Sequence, residues 1–225
     1  MRQQNDPGLL PLRNAFLKAS AQSKPLKLGV LISGRGSNFL AIAQSIAENR
    51  IPNVEIAVVI SNVAEAPGRA AAAQLGIPTA THVSKGRKRA EHDADVLATL
   101  RAHNVGLVIL AGYMRLLSPE FIAAFPNRIL NIHPSLLPAF PGLDAQGQAI
   151  NYGVKVAGCT VHFVDEHLDH GVIILQRVVP VLDTDTAETL SARILVEEHT
   201  AYSEAIARVA GGEYEISGRQ YLKRS

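Results

Sequence analysis

Residues 28–38 read LGVLISGRGSN, an apolar run that stops abruptly in two glycines, a serine and an asparagine. Beyond it the pattern changes period: Phe39, Ile42, Ala43 and Ile46 recur at helix spacing. Strand, glycine turn and helix in that order make a βα unit, and the unit repeats. Further strands are expected at 54–61, 77–83, 105–112 and 128–132, with helices over 38–50, 68–76, 89–104 and 119–125.

The strands of this series are apolar on both faces, as strands covered by helices on each side must be. The expected fold class is therefore α/β, a doubly wound, mostly parallel β-sheet flanked by helices in a single domain. Ligands on such a sheet gather beyond the carboxyl ends of its strands. After Ile132 the pattern is less regular. It holds a Pro-rich loop, a helix near 144–153, β-like runs at 158–164 and 171–181, and a long helix over 186–209.

A chain of 225 residues, 47% hydrophobic and 19% charged, can bury one full core without disulfides or metal. The single cysteine, Cys159, has no internal partner, and no apolar stretch is long enough to span a bilayer. The expectation is a soluble, cytoplasmic protein with no membrane partner. The net charge is +2, and the basic residues are scattered apart from Lys85, Arg87, Lys88 and Arg89, so no nucleic-acid partner is implied. Residues 1–26 lack both a signal-peptide core and an acid-free amphipathic pattern and read as a loosely ordered extension before a domain over 27–225.

The loop at 34–38 has three rival readings. A dinucleotide fingerprint needs a third glycine where Phe39 stands, and an acid after the second strand, where the neutral Ser61 and Asn62 stand. A phosphate-binding Walker loop needs a Gly-Lys-Ser/Thr that is absent. There remains a strand turning through Gly34 and Gly36 into a helix whose first amides lack partners, with Ser37 and Asn38 able to cap or donate. That is an anion site or a plain βα turn.

Asn131 and His133 stand two apart at the end of a strand, so their side chains project from the same face. Asp169 stands in an Asp-x-Gly turn from which a carboxylate can reach His133, and a carboxylate beside an imidazole favours its charged form. His133, His162 and Asp169 as metal ligands match no compact zinc spacing, and Ser37 and Ser135 lie in no nucleophile elbow.

Four motifs in order, GRGSN, AGYMRLLS, NIHPSLLPAFPG and HFVDEHLDHG, resemble those of the phosphoribosylglycinamide formyltransferases, folate-dependent enzymes of purine biosynthesis, from about Lys27 to Ala210. The resemblance implies the formyltransferase fold and transfer of a formyl group from 10-formyltetrahydrofolate, as co-substrate, to the amine of glycinamide ribonucleotide, without a metal. Asn131 matches the donor to the oxyanion, His133 the acid, and Asp169 the carboxylate that supports it. Gly36, Ser37 and Asn38 match the phosphate loop, and Glu198 the acid that contacts the ribose. Arg89, Met114, Arg115, Leu116, Leu117, Asn131 and Val164 match the folate pocket. Residues 27–132 then form the ribonucleotide-phosphate half, and 133–225 the folate-binding and catalytic half.

The chain departs from the family pattern in places. Arg35 stands where relatives often carry Asn or Thr, and Asp144 and Gln146 replace histidines. A 10-formyltetrahydrofolate hydrolase would share Asn131, His133 and Asp169 but carries an N-terminal regulatory domain. A methionyl-tRNA formyltransferase needs a C-terminal barrel, for which the 15 residues after Ala210 are too few. A non-catalytic phosphoribosyl-ligand binding module has no need of the histidine and carboxylate. A monomer and a homodimer are both compatible with the sequence.

Overall fold

Each apolar run becomes a strand in the computed structural model, which describes residues 24–224. Of the extension expected over 1–26, residues 1–23 lie outside the described residues, and Leu26 already opens the first strand. The elements are β1 (Leu26–Ile32), α1 (Ser37–Ala47), β2 (Val54–Ser61), α2 (Pro67–Gln74), β3 (Thr79–Thr81), α3 (Arg89–Ala102), β4 (Leu107–Leu110), α4 (Pro119–Ala124) and β5 (Ile129–His133). They continue with α5 (Ala145–Tyr152), β6 (Val156–Phe163), β7 (Ile173–Pro180), α6 (Ala187–Gly211), β8 (Tyr214–Ser217) and β9 (Gln220–Lys223).

Seven strands form one sheet in the order β3-β2-β1-β4-β5-β6-β7. The strands β1 to β5 are parallel, whereas β6 runs antiparallel to β5, and β7 to β6. The mostly parallel, doubly wound α/β expectation is met. Period-two alternation builds the two layers: β1 sends Leu28, Val30 and Ile32 to the face covered by α1 and α6, and Leu31 to the face covered by α3 and α4. The chain winds outward from β1 to β3 and then returns to β4 on the other side of β1. The switch point therefore falls between β1 and β4, where a crevice opens at the carboxyl ends of the strands.

The 25-residue α6 packs with α1 on one face of the sheet and reaches the crevice with Ser191, Leu195 and Glu198. Thr186 and Thr189 form a capping box at its start. Tyr202, fully buried, sets its position: the hydroxyl lies 3.0 Å from the carbonyl oxygen of Leu110, the last residue of β4, and 2.9 Å from that of Leu130 in β5. The small hairpin β8–β9 was not foreseen in the sequence. Asp144 accepts from the Gly147 amide to cap α5, and Gln146 donates to Ser191 of α6.

Candidate active site

The cleft at the switch point has a volume of about 350 Å3. It is lined by the β1–α1 turn from Ser33 to Asn38, by Ala111, Gly112 and Met114 after β4, and by Ser191, Leu195 and Glu198 of α6. Ser33 joins its two sides, donating to Asn62 at 2.6 Å and accepting from the Met114 amide at 2.8 Å. Gly36, just before α1, has φ +73°, a left-handed conformation that costs glycine little. Of the two roles open to Ser37 and Asn38, no side-chain cap forms at the Gly36 N-cap of α1, which leaves its first-turn amides without a built-in acceptor. Asn38 instead donates to Glu198 Oε2 at 2.8 Å, across 160 residues of sequence.

Leu110 of β4 pairs in register with Asn131 of β5, so Asn131 sits one strand from the cleft wall at the same height. His133 follows two residues later, 5% exposed. The loop between β6 and β7 brings Asp169 Oδ2 to 3.4 Å from His133 Nδ1, with Asp169 also accepting from the Gly142 amide at 2.8 Å. His133 Nε2 lies 2.9 Å from the Phe140 carbonyl oxygen. Both ring nitrogens thus face acceptors, and a ring with two N–H groups donates to both.

His162, beside this pair, was read in the sequence only as a possible metal ligand. Its Nδ1 lies 2.7 Å from the Phe163 carbonyl oxygen and its Nε2 3.3 Å from Asn131 Nδ2. A carbonyl only accepts, so Nδ1 carries the hydrogen, and Nε2 offers a lone pair to the Asn131 amide. Burial pushes the His162 pKa down, against the opposing pulls of the Phe163 carbonyl and the Asp169 charge, which favours this neutral tautomer. The Asn131 amide is thereby oriented with its NH2 toward His162 and one hydrogen left over.

The amino-terminal nine-tenths of the described fold matches the formyl transferase family model over residues 26–206. A Bacillus subtilis phosphoribosylglycinamide formyltransferase is 41% identical over 82% of this chain and 95% of that protein. The chain belongs to the formyl transferase family. A solved structure of glycinamide ribonucleotide transformylase 1 from Symbiobacterium toebii has a TM-score of 0.87 and 50% identity, covering 90% of this chain and 96% of that one. A trifunctional purine biosynthetic protein adenosine-3 of Gallus gallus is 42% identical over 90% of this chain, which spans only 20% of that longer relative.

In this formyl transferase the residues expected to hold folate are divided. Met114 lines the cleft and is 73% exposed, and Leu116 is also exposed. Leu117 is buried with Phe121 and Val96, and Val164 packs against the same apolar cluster. The Arg115 guanidinium turns to the β3–α3 loop, reaching the carbonyls of Ser84 and Arg87 at 3.5 and 3.3 Å. Arg89 is exposed at the first position of α3, directly after that loop.

Burial raises the pKa of Glu198, opposed by the Asn38 hydrogen bond and the His133 charge. Among the described residues no group of three His, Cys, Asp or Glu side chains is placed to hold a metal ion. His133 Nδ1 and His162 Nε2 both turn toward the Asp169 carboxylate, at 3.4 and 4.0 Å, while their other nitrogens face the Phe140 and Phe163 carbonyls. No helix among the described residues is long and apolar enough to cross a membrane.

Proposed function

We propose that this formyl transferase moves the formyl group of 10-formyltetrahydrofolate to the primary amine of glycinamide ribonucleotide, giving N-formylglycinamide ribonucleotide and tetrahydrofolate in purine biosynthesis. The observation that carries the reading is the convergence of Asn131, His133 and Asp169, from β5 and a distant loop, one strand away from a cleft floored by a helix N-terminus. The names of the relatives matched over nearly their whole length support the same reaction.

The phosphate of the ribonucleotide lies against Gly36, Ser37 and Asn38, where free amides and the helix dipole favour an anion. Glu198 receives the ribose hydroxyls from the opposite wall. The folate lies along Met114 to Leu117 and the loop from Val164, with Arg89 near its acidic tail. Residues 27–132 then serve mainly the phosphate, and 133–225 the folate and the chemistry.

Attack of the neutral amine on the formyl carbon forms a C–N bond and a tetrahedral oxyanion. The spare Asn131 N–H donates to that oxygen, and an imidazolium at His133 adds positive charge. Asp169 holds the ring and the water that relays the proton from the new ammonium. Breaking the bond to the folate nitrogen requires that nitrogen to gain a proton, which His133 supplies once its Nε2–H leaves the Phe140 carbonyl. The enzyme acts in the cytoplasm, as a monomer or homodimer, on small molecules alone.

Purified protein incubated with 10-formyltetrahydrofolate, with and without glycinamide ribonucleotide, tests the reading by following deformylated folate spectroscopically. Product only with the ribonucleotide is expected. Product without it marks a hydrolase, and none in either arm marks a binding module.

A further inference from the structure

The loop that carries Asp169 is held from a second side, away from His133. Asp169 has φ +49°, a left-handed conformation that a residue with a Cβ adopts only when its surroundings enforce it. On the inner side the Gly142 amide holds its carboxylate. At the end of the loop, a Cβ on Gly171 would overlap the Phe163 carbonyl, so the return into β7 tolerates no side chain.

The outer side is held by the C-terminal hairpin. Arg219, in the turn between β8 and β9, donates through Nη2 to the His170 carbonyl at 2.6 Å, and its Nη1 lies 3.1 Å from His170 Nε2. His170 Nδ1 lies 2.8 Å from Asp165 Oδ2 at the start of the same loop. Since a carboxylate and a guanidinium flank the ring, the Nδ1–H tautomer satisfies both: it donates to Asp165 and accepts from Arg219. The chain Asp165–His170–Arg219 thus staples the two ends of the loop to the hairpin.

The hairpin itself is seated firmly. Tyr221 stacks on Tyr214 at 5.2 Å, and its edge meets Phe163, the last residue of β6, at 5.5 Å. The Arg208 guanidinium of α6 covers Tyr214 at 5.6 Å. A clamp anchored on β6 and α6 therefore reaches over the loop and grips the residue next to Asp169.

We propose that Arg219 is a positioning residue for formyl transfer: through His170 the β8–β9 hairpin braces the 164–171 loop so that Asp169 keeps its carboxylate against His133. The inference rests on the proposed function for the roles of Asp169 and the loop. The geometric brace is independent of it.

The test uses the full chain with Arg219→Ala, Arg219→Lys, His170→Ala and the double variant Arg219→Ala/His170→Ala. Hydrogen exchange of the loop, thermal midpoint and kinetics toward both substrates are measured. Arg219→Ala is expected to leave the midpoint unchanged and to speed amide exchange only within 165–170. It lowers kcat and raises the folate KM about two- to fivefold, the range of an exposed charged contact, with the ribonucleotide KM unchanged. Arg219→Lys, which keeps one donor to the His170 carbonyl, recovers part of the loss, and the double variant is no worse than His170→Ala alone. Loop exchange at the wild-type rate in Arg219→Ala, additive losses in the double variant, or equal rises in both KM values would overturn the proposal. A wild-type protein without transferase activity would instead count against the proposed function, and the exchange comparison would still decide the brace.

Discussion

Asp169 reaches His133 across 36 positions of sequence and stops 3.4 Å from its Nδ1, while the same carboxylate oxygen takes the Gly142 amide at 2.8 Å. The first distance is long for a hydrogen bond, and the second is a good one. The backbone amide therefore sets where the carboxylate sits, and the histidine is served by a charge already in place. Because both side chains are about nine-tenths buried, that charge is weakly screened.

If these residues carry the chemistry, His133→Ala and Asp169→Asn should each lower kcat by about 10²- to 10⁴-fold, the usual contribution of a placed acid or base. Substrate KM values should change far less, since the loss lies in the transition state. His82, whose Nε2 bonds Thr99 on the α3 side of the sheet, supplies the control, and His82→Ala should retain activity. Steady-state kinetics on the three variants decide this, and equal activity in all three would sink the assignment.

His162 gives a prediction that separates orientation from chemistry. His162→Phe keeps the ring but removes the acceptor that aims the Asn131 amide, so kcat should fall about tenfold, less than the 100-fold or more that follows complete loss of an oxyanion donor. A pH signature accompanies it. The folded His162 pKa is depressed, so below the ordinary imidazole value the unfolded chain binds the extra proton and the native state does not. Its share of stability is full above about 6.5 and is lost as the pH falls below that. His82 and His199 are shifted in the same direction by burial, so urea titrations at pH 5 and 8 should show a smaller difference for the variant than for the wild type, not none. An unchanged pH difference would contradict the buried neutral ring.

How much of this could be read in the sequence depended on how far each feature reaches. The βα rhythm, the sheet class and the Asn131–His133 pair rest on local periodicity, and the structure has them. Glu198 looked like any solvated helix acid and was singled out only through the family resemblance. Its bond to Asn38 joins residues 160 positions apart in sequence. The tautomer of His162 depends on a carbonyl one residue away and an amide 31 residues away, which no spacing rule joins. Arg115 read as a pocket residue because its neighbours do, yet its guanidinium found two carbonyls of another loop. The β8–β9 hairpin had a usable signal, alternating Tyr214 and Ile216 before a Ser-Gly turn, but so short a run is marginal without the Phe163 platform it docks on.

Tyr202 ties α6 to β4 and β5, so Tyr202→Phe should cost about 1–2 kcal/mol by removing one donor from two buried carbonyls. Urea unfolding should show a lower midpoint at unchanged slope. Because Glu198 lies one turn before Tyr202 on the same helix, the ribonucleotide KM should also rise modestly. A stability loss with an unchanged ribonucleotide KM would mean that the hydroxyl does not set the height of Glu198.

Glu198→Gln should raise stability and weaken ribonucleotide binding together. Burial holds the folded carboxyl pKa above its ordinary value, so the native state keeps a proton that the unfolded chain has already released. Native stability from this group therefore declines as pH rises through about 4.5 and toward the folded value, and above that the charged form remains a net burden. A glutamine keeps an oxygen for the Asn38 amide at 2.8 Å and removes the buried charge. The thermal midpoint should rise at pH 8 and converge with the wild type near pH 4, where both side chains are neutral. The ribonucleotide KM should rise about tenfold or more, because an amide accepts two ribose hydroxyls less strongly than a carboxylate does. A lower midpoint at pH 8 would show that the charge is compensated in the folded state, and an unchanged KM would remove Glu198 from the ribose site.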